Sequence, residues 1–276
     1  MVSKLEPSRM IFGSGLSSNK DYEGFLSVAR VAIENGCRSF DTAPSYKTEV
    51  ILGQVIKVCA IEYNLDRADF FVQTKIDAWQ MQEANGEVEK YVFSALKKMN
   101  LDYLDSILIH WPIPEYLNKT WQSFQNLKNK GVVKNIGICN LRMRHLLNLF
   151  SSGILPDCIQ IERHPLMTFD KEVQFCKENG VSIQAYSPLC KMHQRLKEST
   201  VLKRLSENYG KSVGQIILRW HLDTGVCPVF TSSKPNRVAE YLNIFDFSLT
   251  FEDITSITRM NENYKLCLES IACPGF

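Results

Sequence analysis

Eight short apolar runs, each followed by a helix-like stretch, set the tightest limit on how this 276-residue chain can fold. The runs read RMIFG, RSFDTA, FFVQTKI, LDSILIHW, VKNIGICN, CIQIERH, VSIQAYSPL and CPVFTS. They are rich in β-branched and aromatic residues and apolar on both faces, which suits buried parallel strands better than a half-solvated antiparallel sheet. Among the intervening stretches, residues 21–35 begin on an acidic cap, Asp21, and stop before Gly36. Residues 87–99 align Val88, Tyr91, Val92, Ala95, Leu96 and Met99 on one helical face. Residues 120–130 and 171–179 stop at Gly131 and Gly180, as helix C-termini favour glycine. One further helix and a short tail are expected after Phe247.

Eight such units, with no Pro/Gly-rich linker or break in composition, predict a closed (β/α)8 TIM barrel as a single α/β domain over residues 1–276. The length agrees with a fold that typically takes about 250 residues. An open doubly wound sheet is the structural alternative. It calls for a GxGxxG turn after the first strand, whereas Gly13-Ser-Gly15 lacks the third glycine.

Hydrophobic content of 45% and charged content of 22% are those of a soluble globular protein. A formal charge of +2, spread along the chain, argues against a nucleic-acid tail or a polybasic membrane patch. No apolar run approaches the roughly 20 residues of a membrane span, and MVSKLEPSRM lacks a signal-peptide core. A cytoplasmic protein is expected, and Asn118-Lys-Thr120 is then a chance match to a glycosylation site. The nine cysteines are scattered singly, without a CxxC pair, and read as reduced thiols. With no HExxH or other ligand spacing, no metal site is expected.

Four polar residues stand where strands end: Asp41 in SFDTA, Tyr46 shortly after it, Lys75 in FFVQTKI and His110 in SILIHWP. In a barrel the loops after the strands share one face, so these four would meet at a single mouth. Taken singly, Asp41 could cap a helix, Lys75 could snorkel and His110 could be structural. Together they suit carbonyl–alcohol redox chemistry without a metal. Tyrosine, with a reference pKa of about 10, is a poor acid at neutral pH. A neighbouring ammonium lowers that value, and an aspartate keeps the ammonium charged and oriented. Histidine can orient the substrate oxygen. The hydride exceeds side-chain chemistry, so a nicotinamide cofactor is required.

With these residues in place, the chain resembles the aldo-keto reductase family over nearly its full length. GCRSFDTAPSYKTEVILG (36–53) follows the family's first signature, with Cys37 for the usual aromatic, and LDYLDSILIHWP (101–112) is similar to the second. GVVKNIGICN, IQIERHP and IQAYSPL resemble segments that line its nicotinamide site. The resemblance implies Tyr46 as general acid, tuned by Lys75 and Asp41, with His110 orienting the carbonyl. It implies that Asn140 and Gln160 hold the nicotinamide carboxamide beside Cys139 and that Tyr186 stacks on the ring, next to Ser187 and Leu189. Glu162 and His164-Pro165 also match, as structural residues. The phosphate and adenine side would fall to Thr231, Ser232, Arg237, Glu240 and Tyr241.

Departures bear on specificity. Cys139 replaces the family's usual Ser. Ile-Pro-Lys-Ser becomes VFTS, so Thr231 stands where a lysine meets the 2′-phosphate of NADP, removing a contact worth about 1.5–3 kcal/mol. Arg237 is retained, Lys234 lies near enough to substitute, and Tyr241 replaces an adenine-side Asn. NADPH is the expected cofactor, with NADH or dual use open. Asp77 stands where an aromatic often follows the catalytic lysine, and Ser17 aligns with another. A more open and more polar pocket follows, suited to hydroxylated or amino-bearing carbonyl compounds, with Trp79 and Trp111 as walls; a solvated loop charge is the other reading of Asp77.

The expected partner is a small-molecule carbonyl substrate, with neither nucleic acid nor membrane, and a monomer or weak oligomer is expected. Two rival readings share the fold. One is a cofactor-binding regulatory subunit with little turnover. The other is a phosphate-binding isomerase or lyase, although no glycine-rich phosphate loop follows the last two strands.

Overall fold

The computed structural model describes residues 10–16 and 21–267. Its strands are β1 (Ile11–Gly13), β2 (Ser39–Asp41), β3 (Phe71–Ile76), β4 (Leu104–Ile109), β5 (Val133–Cys139), β6 (Cys158–Glu162), β7 (Ser182–Tyr186) and β8 (Cys227–Phe230). Each lies inside one of the eight apolar runs. All pair in parallel in sequence order, and Ile11↔Val229 and Phe12↔Phe230 close β1 onto β8 as a barrel. Side chains alternate with a period of two along each strand, so a slip of one residue would exchange its two faces.

That alternation divides the apolar residues between two places. Phe12, Phe40, Val72, Ile107, Ile138, Ile159, Ile183 and Phe230 join the large core between strands and helices. Their neighbours Ile11, Phe71 and Val229, and separately Leu108, Cys139 and Cys158, form small clusters of their own. Phe12 packs on Phe25, Phe40 and Phe230 with ring centroids 5.3–6.3 Å apart. Burying one such ring contributes about 1.5–3 kcal/mol.

The strands are not apolar on both faces, as their composition suggested. Ser39, Asp41, Gln73, Lys75, Ser106, Gln160 and Gln184 are all buried. Their parity matches that of the small clusters, so a polar layer lies inside the barrel. It is tolerated because its members satisfy one another. Gln73 Nε2 donates to Gln184 Oε1 and Gln184 Nε2 returns a bond to Gln73 Oε1, both at 2.9 Å. Gln160 Nε2 donates to the same Gln184 Oε1, also at 2.9 Å. A buried carboxamide without such partners would cost more than a hydrogen bond contributes.

Helices flank the barrel. Tyr22–Glu34 starts at Asp21, whose side chain accepts from Gly24 N at 2.8 Å. Glu89–Met99 buries Val92, Ala95, Leu96 and Met99 and ends at Asn100 in the left-handed region. Asp170–Glu178 ends before Gly180, whose φ of +69° suits glycine. The helix expected over 120–130 runs Pro114–Asn129 instead. Proline reads as a breaker in a pattern scan, yet at the first helical turn its missing N–H has no partner to lose. The helix Glu49–Glu62 comes very close to the end of Glu89–Met99, and a Cβ on Gly53 would lie 2.2 Å from Met99 O. Among the described residues, no helix is long and apolar enough to cross a membrane.

Candidate active site

Asp41 is the last residue of β2, and the chain turns at once into a short 3-10 helix, Pro44–Tyr46. Pro44 starts that turn and Lys47, with φ +61°, ends it. Three buried hydroxyls secure the turn. Ser14 pairs with Thr48 at 2.7 Å, and Thr48 pairs with Thr42 at 2.9 Å. Lys75 lies in β3 two residues after Gln73, on the same face. His110 directly follows β4, its N–H bonded to Ile76 O at 2.9 Å.

This brings the four strand-end residues together. Lys75 Nζ lies 2.6 Å from Asp41 Oδ1, donates to Thr42 O at 3.0 Å and reaches Tyr46 OH at 3.4 Å. The Tyr46 and His110 rings meet edge to face, with centroids 5.6 Å apart. Asp41 Oδ2 accepts from Gln73 Nε2 at 2.7 Å and from Gln160 Nε2 at 3.1 Å. The glutamine layer therefore fixes the carboxylate that holds the lysine.

The electrostatics differ from the sequence expectation at one point. Lys75 does pull the Tyr46 pKa down, but burial pushes harder, and the phenol rises to about 12. Tyr46 is thus protonated at neutral pH. Burial alone would discharge Lys75; Asp41 and Tyr46 reverse that and leave its pKa raised. Burial holds His110 below the ordinary histidine value, with Asp77 opposing that shift and Lys75 adding to it.

A cleft of about 780 Å³ opens at this mouth. It is bordered by Asp41, Tyr46, Gln160 and Tyr186, then by Ser187 and Leu189. Thr231, Ser232, Arg237, Glu240 and Tyr241 also border it, as do Lys191, Lys197 and Lys234. The last three give it, with Arg237, four cationic side chains. Thr231 Oγ1 is buried without a hydrogen-bond partner. Glu240 accepts from Ser212 Oγ. Gly15 faces Tyr46, and a Cβ there would sit 3.3 Å from the ring; at Gly214 it would sit 2.8 Å from Tyr241.

Other expected positions fall elsewhere. Cys139 is buried among Leu108 and Cys158 and does not border the cleft. Asn140 lies behind Tyr186: its Oδ1 accepts from Tyr186 OH at 2.7 Å and its Nδ2 donates to His110 O at 2.8 Å. Trp79 does not border the cleft either; it is 51% exposed and packs on Tyr91. Trp111 stands beside His110, ring centroids 6.4 Å apart. Ser17 lies outside the described residues. Asp77 is neither a solvated loop charge nor a polar wall of the cleft. It is 5% exposed and bonded to Ser45 and His110. Glu162 accepts from His164 Nε2 at 3.0 Å and from the N–H groups of Leu266 and Cys267, tying the C-terminal segment to β6. Among the described residues, no group of three or more His, Cys, Asp or Glu is placed to hold a metal ion.

Sequence reasoning missed Gln73 and Gln184, although the two-residue spacing from Gln73 to Lys75 and from Gln184 to Tyr186 signalled a shared face. It also missed Ser45, which bonds Asp77 from 32 residues away, and Lys191 and Lys197, which border the cleft.

The sequence pattern of the Aldo/keto reductase family matches residues 9–262. A glyoxal reductase of Bacillus subtilis is 34% identical over 92% of this chain and 90% of its own length. The methylglyoxal reductase DkgA of Escherichia coli (strain K12) is 31% identical, over 88% of this chain and 87% of that protein. Among solved structures, the Bombyx mori aldo-keto reductase AKR2E4 in complex with NADP superposes with a TM-score of 0.85 at 32% identity, covering 94% of this chain and 90% of that one. Family pattern, curated relatives and solved structure all span the barrel and its mouth, and the chain belongs to the aldo/keto reductase family.

Proposed function

We propose that this chain is an NADPH-dependent carbonyl reductase that converts a small, polar aldehyde or ketone to its alcohol, with Tyr46 as general acid. The observation that carries the reading is the convergence of Tyr46 with the Lys75–Asp41 pair, 3.4 and 2.6 Å apart, at a cleft that also carries four cations. The residues present fit a nicotinamide dinucleotide phosphate. Thr231 offers a buried, unpartnered hydroxyl, and Lys234 and Arg237 offer charge in place of the lysine missing at position 231. Gln160 and Tyr186 would hold the nicotinamide end and Arg237, Glu240 and Tyr241 the adenosine end.

A nicotinamide bound there supplies the hydride for the carbonyl carbon. The chain's own groups handle the oxygen. Tyr46 donates the phenol proton as negative charge develops, and Lys75 stabilises the phenolate left behind. Asp41 keeps Lys75 charged inside the barrel, and the Gln73–Gln184–Gln160 layer keeps Asp41 in place. The remaining nitrogen of His110, Nε2, hydrogen-bonds the substrate oxygen. The relatives named glyoxal and methylglyoxal reductases support a small carbonyl substrate.

The test is the initial rate of NADPH and NADH oxidation with glyoxal, methylglyoxal and hydroxylated aldehydes, for the wild type and Tyr46→Phe. Turnover that disappears in Tyr46→Phe while NADPH still quenches protein fluorescence is the expected result. Undiminished turnover in the variant would refute the role of Tyr46. Tight NADPH binding with no turnover in the wild type would favour a regulatory subunit.

A further inference from the structure

The catalytic histidine carries a carboxylate on its back. His110 Nδ1 lies 2.5 Å from Asp77 Oδ1. Asp77 is itself fixed at three points. Its Oδ2 accepts from Ser45 N at 2.8 Å, its Oδ1 accepts from Ser45 Oγ at 3.2 Å, and its own N–H donates to Gln80 Oε1 at 2.9 Å. Ser45 immediately precedes Tyr46, so one buried carboxylate links the turn that carries Tyr46 to His110.

Burial pushes the Asp77 carboxyl up, but the donors from His110 and Ser45 more than reverse this and leave it below the ordinary range. An ionised carboxylate can only accept, so His110 Nδ1 must donate. The two nitrogens then have different fates. Nδ1 keeps its hydrogen in every protonation state, and Nε2 is the atom that gains or loses one.

Resting on the reductase reading of this cleft, we propose that Asp77 is a positioning residue that locks His110 in the Nδ1–H tautomer. Neutral His110 then presents a lone pair at Nε2, suited to accept from an alcohol hydroxyl. Only the imidazolium presents an N–H to a carbonyl oxygen. Carbonyl reduction is therefore favoured on the acid side of the His110 ionisation and alcohol oxidation on the other. The charged and titratable groups facing His110 are Asp77 and Lys75 from β3 and its end, Asp41 from β2 and Tyr46 from the turn after it. Tyr46, at about 12, titrates far above this range and does not produce the limb.

Asp77→Asn reverses the tautomer by a forced orientation. Ser45 N–H needs an acceptor, so the amide oxygen takes the Oδ2 position and the amide nitrogen faces His110 Nδ1. The amide nitrogen donates, so His110 Nδ1 becomes the acceptor, and the neutral ring carries its hydrogen on Nε2.

The experiment is a 15N-histidine NMR spectrum of the cofactor-free wild type and Asp77→Asn, with His110 assigned by its loss in His110→Gln. It is paired with kcat/KM profiles for reduction and oxidation from pH 5 to 9. The expected wild type shows an Nδ1–H tautomer, and its reduction kcat/KM falls about tenfold per pH unit above the His110 ionisation. The expected Asp77→Asn shows Nε2–H, a reduction profile without that limb, and slower oxidation at high pH. An Nε2–H tautomer in the wild type overturns the proposal, and this result does not depend on the variant's folding. Expected tautomers with an unchanged reduction limb in Asp77→Asn overturn the catalytic consequence. Expected tautomers with no wild-type turnover on any carbonyl overturn the reductase reading and its pH limb, and they support the Asp77 lock.

Discussion

Replacing Asp41 by Asn should invert the pH dependence that Lys75 contributes to stability. Both side chains are buried, Lys75 at 0% and Asp41 at 2% exposure. In the wild type the Lys75 ammonium has Asp41 Oδ1 at 2.6 Å, Thr42 O at 3.0 Å and Tyr46 OH at 3.4 Å. The variant leaves it a carbonyl, a phenol and an amide, while the new amide nitrogen faces the donors of Gln73 and Gln160. Removing one partner of a buried ion pair costs about 3–5 kcal/mol. The sign with pH follows from the folded-state pKa. In the wild type it is raised, so the stability it confers is fully present below the unfolded value of about 10.4 and is lost only above it. In Asp41→Asn the largest opposing charge is gone, burial prevails over the weaker pull of Tyr46, and the folded pKa falls below the unfolded one. The unfolded state then binds more protons in the window between them, and stability rises with pH by up to about 1.4 kcal/mol per unit. Urea denaturation at intervals from pH 6 to 10, plotted as variant minus wild type, cancels the other titrating groups. The expected curve starts about 3–5 kcal/mol low near pH 7 and climbs toward pH 10. A flat difference, or a deficit under about 1 kcal/mol, would refute the account of Lys75 as a charge held by Asp41.

Gly53→Ala should destabilise the barrel by about 1–3 kcal/mol in the same denaturation assay, because its Cβ would lie 2.2 Å from Met99 O and 2.5 Å from Met99 Cα. Helix propensity alone predicts a gain of about 1 kcal/mol, so a stabilised variant would show that the helices separate freely. Thr231→Lys should raise the preference for NADPH over NADH, read as the ratio of dissociation constants by fluorescence titration, by about 1.5–3 kcal/mol, or about ten- to a hundredfold. An unchanged ratio would mean that Lys234 and Arg237 already meet the 2′-phosphate in full. Glu162→Gln should loosen the segment at Leu266 and Cys267, seen as faster amide exchange there with little change in the strands.

The barrel was legible because its signal is local. Eight runs of the right length and composition fixed the strands, and the helix breakers between them fixed most of the returns; only Pro114 misled, by standing where a helix starts. The four strand-end residues were legible for a related reason. A barrel sends every strand's end to one mouth, so position along the chain predicted proximity without any knowledge of side-chain contacts. The Tyr46 pKa was not legible. Its direction depends on whether burial or the Lys75 charge prevails, and burial is a property of the whole packed mouth.

Asp77 shows where local reasoning stops and what replaces it. Compared with an aromatic at the same place, an aspartate reads as a more polar pocket wall; compared with a loop, it reads as a solvated charge. Both readings ask what kind of residue stands there and neither asks what it faces. A strand's last residues alternate faces, and Lys75 and Asp77 share parity across the end of β3. The neighbouring strand pairs Lys75 with Leu108 and Ile76 with Ile109, which brings the next residue, His110, level with Asp77. The pairing of β3 with β4, once known, therefore places a carboxylate beside the histidine 33 residues away. What the sequence lacks is the register, and register is what turns a list of polar residues at strand ends into a tyrosine beside a lysine–aspartate pair and a histidine held by a buried carboxylate.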